Sequence, residues 1–103
     1  MDDIPNTPNF YSSLNTTLTC EQIAELYGKL GWRIRKYSWT DYEVFGPWAE
    51  LVIDSASPIL MNGMEADVMT HAEELLAPLR RSKITFSAEC YGPYGELLRE
   101  FSG

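Results

Sequence analysis

Residues 43–52 read EVFGPWAELV, and residues 89–98 read ECYGPYGELL. The second stretch lies 46 positions after the first, with identities at Glu43/Glu89, Gly46/Gly92, Pro47/Pro93, Glu50/Glu96 and Leu51/Leu97. Phe45/Tyr91, Trp48/Tyr94 and Val52/Leu98 are conservative pairs. Gly-Pro-aromatic reads as a hairpin turn, because proline pre-sets φ at the first central position. If Gly46 faces Ala49, then Val44 faces Leu51 and Tyr42 faces Ile53, all on one side of the hairpin. Glu43, Phe45, Glu50 and Val52 then share the other side, since strand side chains alternate. The same register in the second copy sets Cys90 opposite Leu97 and Phe86 opposite Phe101. Glu89, Tyr91, Glu96 and Leu98 point the other way.

Working outward, a helix precedes each hairpin. Thr19 is a natural N-cap, and Gln22 three residues on completes a capping box. Ile23, Leu26, Tyr27 and Leu30 form one apolar stripe, and Gly31 is placed to end the helix in a left-handed conformation. The stretch from Trp32 to Val44 is rich in aromatic and β-branched residues and reads as strand. Its parity changes midway, which a bulge or tight turn at Thr40-Asp41 would reconcile. Residues 54–63 read as a connection with Ile59, Leu60 and Met61 as an apolar plug. Asn62 and Glu65 stand at capping-box spacing before a second stripe of Val68, Ala72, Leu75, Leu76 and Leu79. Pro78 lies inside that stripe and predicts an end or kink near Leu76 or Ala77. The segments ELYGKL (25–30) and ELLAPL (74–79) match as well. The pattern therefore reads as an internal repeat, with units at about 19–54 and 62–102. The competing reading is a convenient turn used twice.

Two such α-β-β units predict an α+β domain over 19–103: a four-stranded antiparallel sheet with two helices packed on one face. The core expected from this phase is Ile23, Leu26, Leu30, Tyr42, Val44, Leu51, Ile53, Leu75, Leu79, Phe86, Cys90, Leu97 and Phe101. Residues 1–18, with Pro5, Pro8 and many polar residues, read as an N-terminal arm. Phe10, Tyr11, Leu14 and Leu18 could pin it to the body.

Composition bounds the rest. A chain of 103 residues with 45% hydrophobic residues supports one domain with its own core. It carries 8 basic against 15 acidic residues, a net charge of -7 that repels phosphate backbones and disfavours nucleic acid. The basic clusters, Arg33, Arg35, Lys36 and Arg80, Arg81, Lys83, follow the ends of the two helices, where cations answer the helix dipole. No stretch approaches the roughly 20 apolar residues of a membrane helix. The N-terminus is acidic and lacks an apolar signal core, so a cytoplasmic location is expected.

Signs of chemistry are sparse. Two cysteines, Cys20 and Cys90, are too few for a disulfide scaffold, though a bridge between them stays open. Cys20 at the start of a helix could have its thiol pKa lowered. His71 is the lone histidine, next to the second stripe, where a surface or satisfied-core role is the simpler reading. No metal signature and no glycine-rich phosphate cradle occur. The chain is thus expected to be no enzyme and to need no cofactor. The expected site is the outward sheet face, made of Glu43, Phe45, Glu50, Val52, Glu89, Tyr91, Glu96 and Leu98. Four sizeable apolar side chains together form a patch with meaning. It would serve a protein partner or a second copy of the chain, in the manner of a regulator, inhibitor or assembly partner. The bland reading is cover by the arm, and the alternative function is a small-ligand pocket between sheet and arm.

Overall fold

The capping box forms as the sequence dictates. In the computed structural model, which describes residues 4–103, Thr19 Oγ1 accepts from the Gln22 N–H at 3.2 Å and Gln22 Oε1 accepts from the Thr19 N–H at 2.9 Å. This starts α1 (Cys20–Gly28). Its end is closed by Gly31 at φ 93°, with Gly31 N–H on Gly28 C=O at 3.0 Å and Trp32 N–H on Tyr27 C=O at 3.2 Å, the Schellman pattern. The second helix, α2 (Val68–Arg81), ends in the same way: Lys83 N–H bonds Arg80 C=O and Ile84 N–H bonds Leu79 C=O, each at 3.0 Å. Here Lys83, not glycine, takes the left-handed position at φ 58°.

The strands are β1 (Phe10–Asn15), β2 (Arg33–Lys36), β3 (Tyr42–Phe45), β4 (Ala49–Asp54), β5 (Ile59–Glu65), β6 (Thr85–Tyr91) and β7 (Leu97–Ser102). They form one antiparallel sheet in the order β2-β3-β4-β5-β1-β6-β7. The helices lie on one face, α1 over β2, β3 and β4 and α2 over β6. Phe10, Leu14, Val44, Leu51, Ile53 and Met61 rise from the sheet to meet Ile23 and Tyr27 of α1 and Leu75, Leu76 and Leu79 of α2. Tyr27 ties the layers together, donating from its hydroxyl to Leu75 C=O at 2.8 Å.

The fold is α+β, but the four-stranded sheet of two matching α-β-β units is overturned: the sheet has seven strands. Two segments without a helix-preceded hairpin account for much of the difference. Phe10–Asn15, read above as part of an arm, alternates buried Phe10, Ser12 and Leu14 with outward Tyr11, Ser13 and Asn15. It inserts as β1 between β5 and β6, bonded on both sides. Ile59–Glu65, read as a plug leading into a helix cap, also alternates and becomes β5. Asn62 is therefore mid-strand, where its Oδ1 accepts from the Ser12 N–H at 3.0 Å, and not an N-cap. The helix start falls to Asp67. Residues 1–3 of the expected arm lie outside the described residues.

Smaller corrections follow. The stretch from Trp32 to Val44 splits into β2 and β3 around a turn closed by Tyr37 N–H on Asp41 C=O at 2.9 Å. Pro78 neither ends nor breaks α2, which runs on to Arg81 with Pro78 buried. Of the expected core, Leu30 and Leu97 are exposed, while Leu26 and Tyr42 are only partly buried.

Leu97 is exposed because the two hairpins differ by one loop residue. Gly46 N–H bonds Ala49 C=O at 2.8 Å, leaving Pro47 and Trp48 as the loop, and Tyr42↔Ile53 and Val44↔Leu51 pair as read from the sequence. Gly92 N–H instead bonds Glu96 C=O at 2.8 Å, so the loop holds three residues and ends at Gly95 with φ 80°. The extra loop residue turns Leu97 to the side of Tyr91, and the bulge that follows restores the phase, so Phe101 stays in the core. Cys90 now faces Arg99, Ala88 faces Phe101, and a bulge lies between Cys90 and Tyr91.

Candidate functional site

With both helices on one side, the other face of the sheet has no helical cover among the described residues. Arg33 and Arg35 of β2 begin it, and register carries it through Glu43 and Phe45, then Glu50 and Val52. Beyond these come Met64, Asn62 and Leu60 of β5, then Tyr11 of β1 and Glu89 and Tyr91 of β6. Phe45, Val52, Leu60, Met64 and Tyr91 are each half-buried by their neighbours, a mixed apolar and acidic surface.

The expected site residues fall in two groups. Glu43, Phe45, Glu50 and Val52 stand together on β3 and β4. Arg35 Nε meets Glu43 Oε1 at 3.0 Å, and the Arg33 guanidinium lies 5.1 Å from the Phe45 ring centre. Arg33 and Arg35 thus serve this face and do not answer the dipole of α1, whereas Arg80 and Arg81 do lie in the last turn of α2. Glu89 and Tyr91 stand on β6, separated from the first group by β5 and β1. Leu98 is exposed beside them at the bulge. Glu96 belongs to the turn, where its Oε1 accepts from the Tyr94 N–H at 2.9 Å. The residues of β5 and β1 on this face, Leu60, Asn62, Met64 and Tyr11, were missed because their segments were not read as strands. Their period-2 alternation was the available signal. The arm does not cover the face among the described residues: Phe10 and Leu14 point to the helices and Tyr11 is itself part of the surface.

At the end of the sheet where β5 and β6 finish and β1 begins, a cleft of about 1000 Å³ opens. Its walls are the segment before β1 (Pro5, Pro8, Asn9), the start of α2 (Asp67, Val68, Met69) and the loop after β6 (Gly92, Pro93, Gly95). Tyr11, Tyr91 and Leu98 reach it from the open face, and the Tyr11 and Tyr91 rings meet edge to face, 5.5 Å between centres. Burial and the neighbouring Glu89 carboxylate push the Tyr91 hydroxyl pKa up.

Glu65 borders the same cleft at the end of β5, but its side chain lies on the helix face of the strand, in phase with Met61 and Gly63. It is 0% exposed, and among the described residues neither carboxyl oxygen has a hydrogen-bond partner. The Asn9 side chain holds the Glu65 backbone, donating to its C=O and accepting from its N–H, both at 2.9 Å. That spends the Asn9 amide and leaves the carboxyl unmatched. Burial, reinforced by the charge of Glu74, pushes the Glu65 carboxyl up to about 8. Compared with protein families, curated proteins and solved structures, the chain matches none.

The remaining candidates for chemistry are accounted for by packing. Cys20 and Cys90 are both free thiols and both buried, so no bridge joins them. Burial pushes Cys90 up to about 12. Cys20 is also raised, by burial and by Asp41 and Asp54, the reverse of the lowering that a helix start suggested. His71 stacks on Trp48, ring centres 4.3 Å apart and planes 7° from parallel, and its Nδ1 lies 3.3 Å from Glu74 Oε1. Trp48 also meets Trp32 edge to face, and Trp32 packs against Tyr27. Among the described residues, no three His, Cys, Asp or Glu side chains converge to hold a metal ion, and no helix is long and apolar enough to cross a membrane.

Proposed function

We propose that this chain is a non-enzymatic protein-interaction module, a regulator, inhibitor or assembly partner, that docks through its open sheet face. The observation that carries the reading is one face of a seven-stranded sheet that no layer of the described residues covers, on which Phe45, Val52, Leu60 and Met64 form an apolar centre among Glu43, Glu50 and Glu89. An antiparallel sheet tolerates water on one face when that face is polar. A contiguous apolar centre on it fits an interface instead, whose core is depleted of charge and whose rim is polar. The net charge of -7 steers the module toward a basic partner surface and speeds encounter.

The test is affinity capture from the source cells with the wild-type chain, Phe45→Glu, Val52→Glu and the helix-surface control Glu25→Lys, alongside light scattering. The expected result is a partner, or a dimer, present with wild type and the control and lost with both face variants. Equal retention by the face variants, or a monomer that captures nothing, refutes the reading.

A further inference from the structure

Strand register sets the open face in rows that cross the sheet. One row runs from Arg35 on β2 through Glu43, Val52, Asn62 and Tyr11 to Glu89 on β6 and Glu100 on β7. The next holds Arg33, Phe45, Glu50 and Met64, and on the far side Tyr91 and Leu97. β5 is the middle strand of the seven, with three on each side. Charge is therefore uneven across the width of the face. Arg33 and Arg35 lie on β2 at one edge, and Glu89 and Glu100 lie on β6 and β7 at the other. Arg99, the cation of β7, is turned to the helix side, where it lies 4.6 Å from the Phe101 ring centre. Apolar residues flank β5 on both sides, Phe45 and Val52 on one and Tyr11 and Tyr91 on the other, and Leu60 and Met64 stand on β5 itself.

A second copy can pack face to face on such a surface about a two-fold axis lying between the sheets. An axis across the strands would stack β2 on β2 and β7 on β7, so that Arg35 meets Arg35 and Glu100 meets Glu100. An axis along β5 exchanges the two sides instead. β2 then lies over β7 of the second copy, β3 over β6 and β4 over β1. Arg35 comes over Glu100, Phe45 over Tyr91 and Val52 over Tyr11, while Leu60 and Met64 meet their own counterparts on the axis. Glu43 comes over Glu89, and Arg35, 3.0 Å from Glu43 Oε1, stands beside both acids. Glu50 falls over β1, which carries no acid. Sheets packed in this aligned way sit about 10 Å apart with their side chains interdigitated. Seven strands about 4.8 Å apart and about 20 Å long offer roughly 600 Å² per copy, or about 1200 Å² for the pair, at the lower end of specific interfaces.

We propose that the open face pairs with the open face of a second copy of this chain, about a two-fold axis that runs along β5. The proposal rests on the docking reading and names its partner. The basic surface that the acidic side of the face attracts is the Arg33 and Arg35 strip of the same protein. Pairing removes Phe45, Val52, Leu60 and Met64 from water in both copies at once. An area at the low end of the range makes the dimer reversible, so its population follows concentration.

The experiment is sedimentation equilibrium of the full chain at concentrations up to the millimolar range, with bismaleimide crosslinking of variants that carry one added cysteine. Cys20 and Cys90 are buried, so the wild type serves as the uncrosslinked control. A monomer–dimer equilibrium is expected, weakened about tenfold or more in Arg35→Glu and in Glu100→Arg and restored to near wild type when the two are combined. Met64→Cys is expected to crosslink to its own copy. Phe45→Cys and Tyr91→Cys are each expected to crosslink poorly alone and readily when mixed. A dimer in which Phe45→Cys crosslinks to itself as readily as Met64→Cys does, or one in which the combined charge variant is not rescued, overturns the proposal. So does a chain that stays monomeric throughout. The docking reading survives that last result if capture of another protein is still lost in Phe45→Glu and Val52→Glu, and falls with it if nothing is captured.

Discussion

Replacing Glu65 with glutamine is expected to stabilise the protein, and to do so in a pH-dependent way. The free acid ionises near 4.5, whereas burial and the charge of Glu74 raise the Glu65 carboxyl to about 8 in the fold. Between those values the native chain keeps a proton that the unfolded chain releases, so stability falls as pH rises through the window. Below 4.5 both states are protonated and the difference disappears. Each pH unit in the window is worth about 1.4 kcal/mol. At pH 7 the penalty is therefore about 3 kcal/mol, and it levels off near 5 kcal/mol above pH 8, by the same conversion. Against a total of roughly 5–15 kcal/mol for a native domain, this is a large share. Glutamine is close to isosteric and does not ionise, so Glu65→Gln removes the penalty. Urea unfolding at pH 4.5, 6, 7 and 8.5 reads it directly. With a slope of about 1.5 kcal/mol per molar, the midpoint gap between variant and wild type should open to about 2 M at pH 7. Parallel pH profiles for the two proteins would refute the reasoning, because they would place the titrating group elsewhere.

Other perturbations test the fold. Phe10→Ala empties a fully buried site in β1 and is expected to cost about 3–5 kcal/mol, read by chemical unfolding; a loss under 1 kcal/mol would place residues 10–15 outside the core. Gly63→Ala puts a Cβ 2.8 Å from the Leu51 Cα and against the Glu50 carbonyl, so it should lower the melting temperature by several degrees. Lys83→Gly relieves a left-handed lysine at φ 58° and is expected to add about 0.5–1 kcal/mol by the same assay.

Legibility varied along the chain for identifiable reasons. The β3–β4 hairpin was readable to the residue because its two-residue loop leaves no freedom in register. The β6–β7 hairpin was not, although its turn looks alike. Gly95 replaces Ala49 at the equivalent position, accepts a positive φ, and so admits a third loop residue. That change moved Leu97 from the expected core to 47% exposure, and the bulge beyond it set Arg99 opposite Cys90. β1 and β5 were missed because Phe10–Asn15 and Ile59–Glu65 stand between prolines, asparagines and serines that mark loops. Only their alternation argued otherwise. The open face was half anticipated through Glu43, Phe45, Glu50 and Val52. The cleft was anticipated only as the alternative of a pocket between sheet and arm, without its residues, since Glu65 and Tyr11 lie far apart in sequence and were assigned to a cap and an arm.

Local chemistry in the chain is enough to specify both helices, the start of α1 at its capping box, the left-handed stop at Gly31 and the phase of one hairpin. Each depends on residues within a few positions of one another. Which segments become the middle of the sheet is settled by long-range pairing: Phe10 joins the ladder beside Gly63 on one side and Cys90 on the other. Such pairs form only when the helices give the buried side chains somewhere to go. The unpaired state of Glu65 has the same origin, for a carboxyl is left dry by what packs around it and not by its neighbours in sequence.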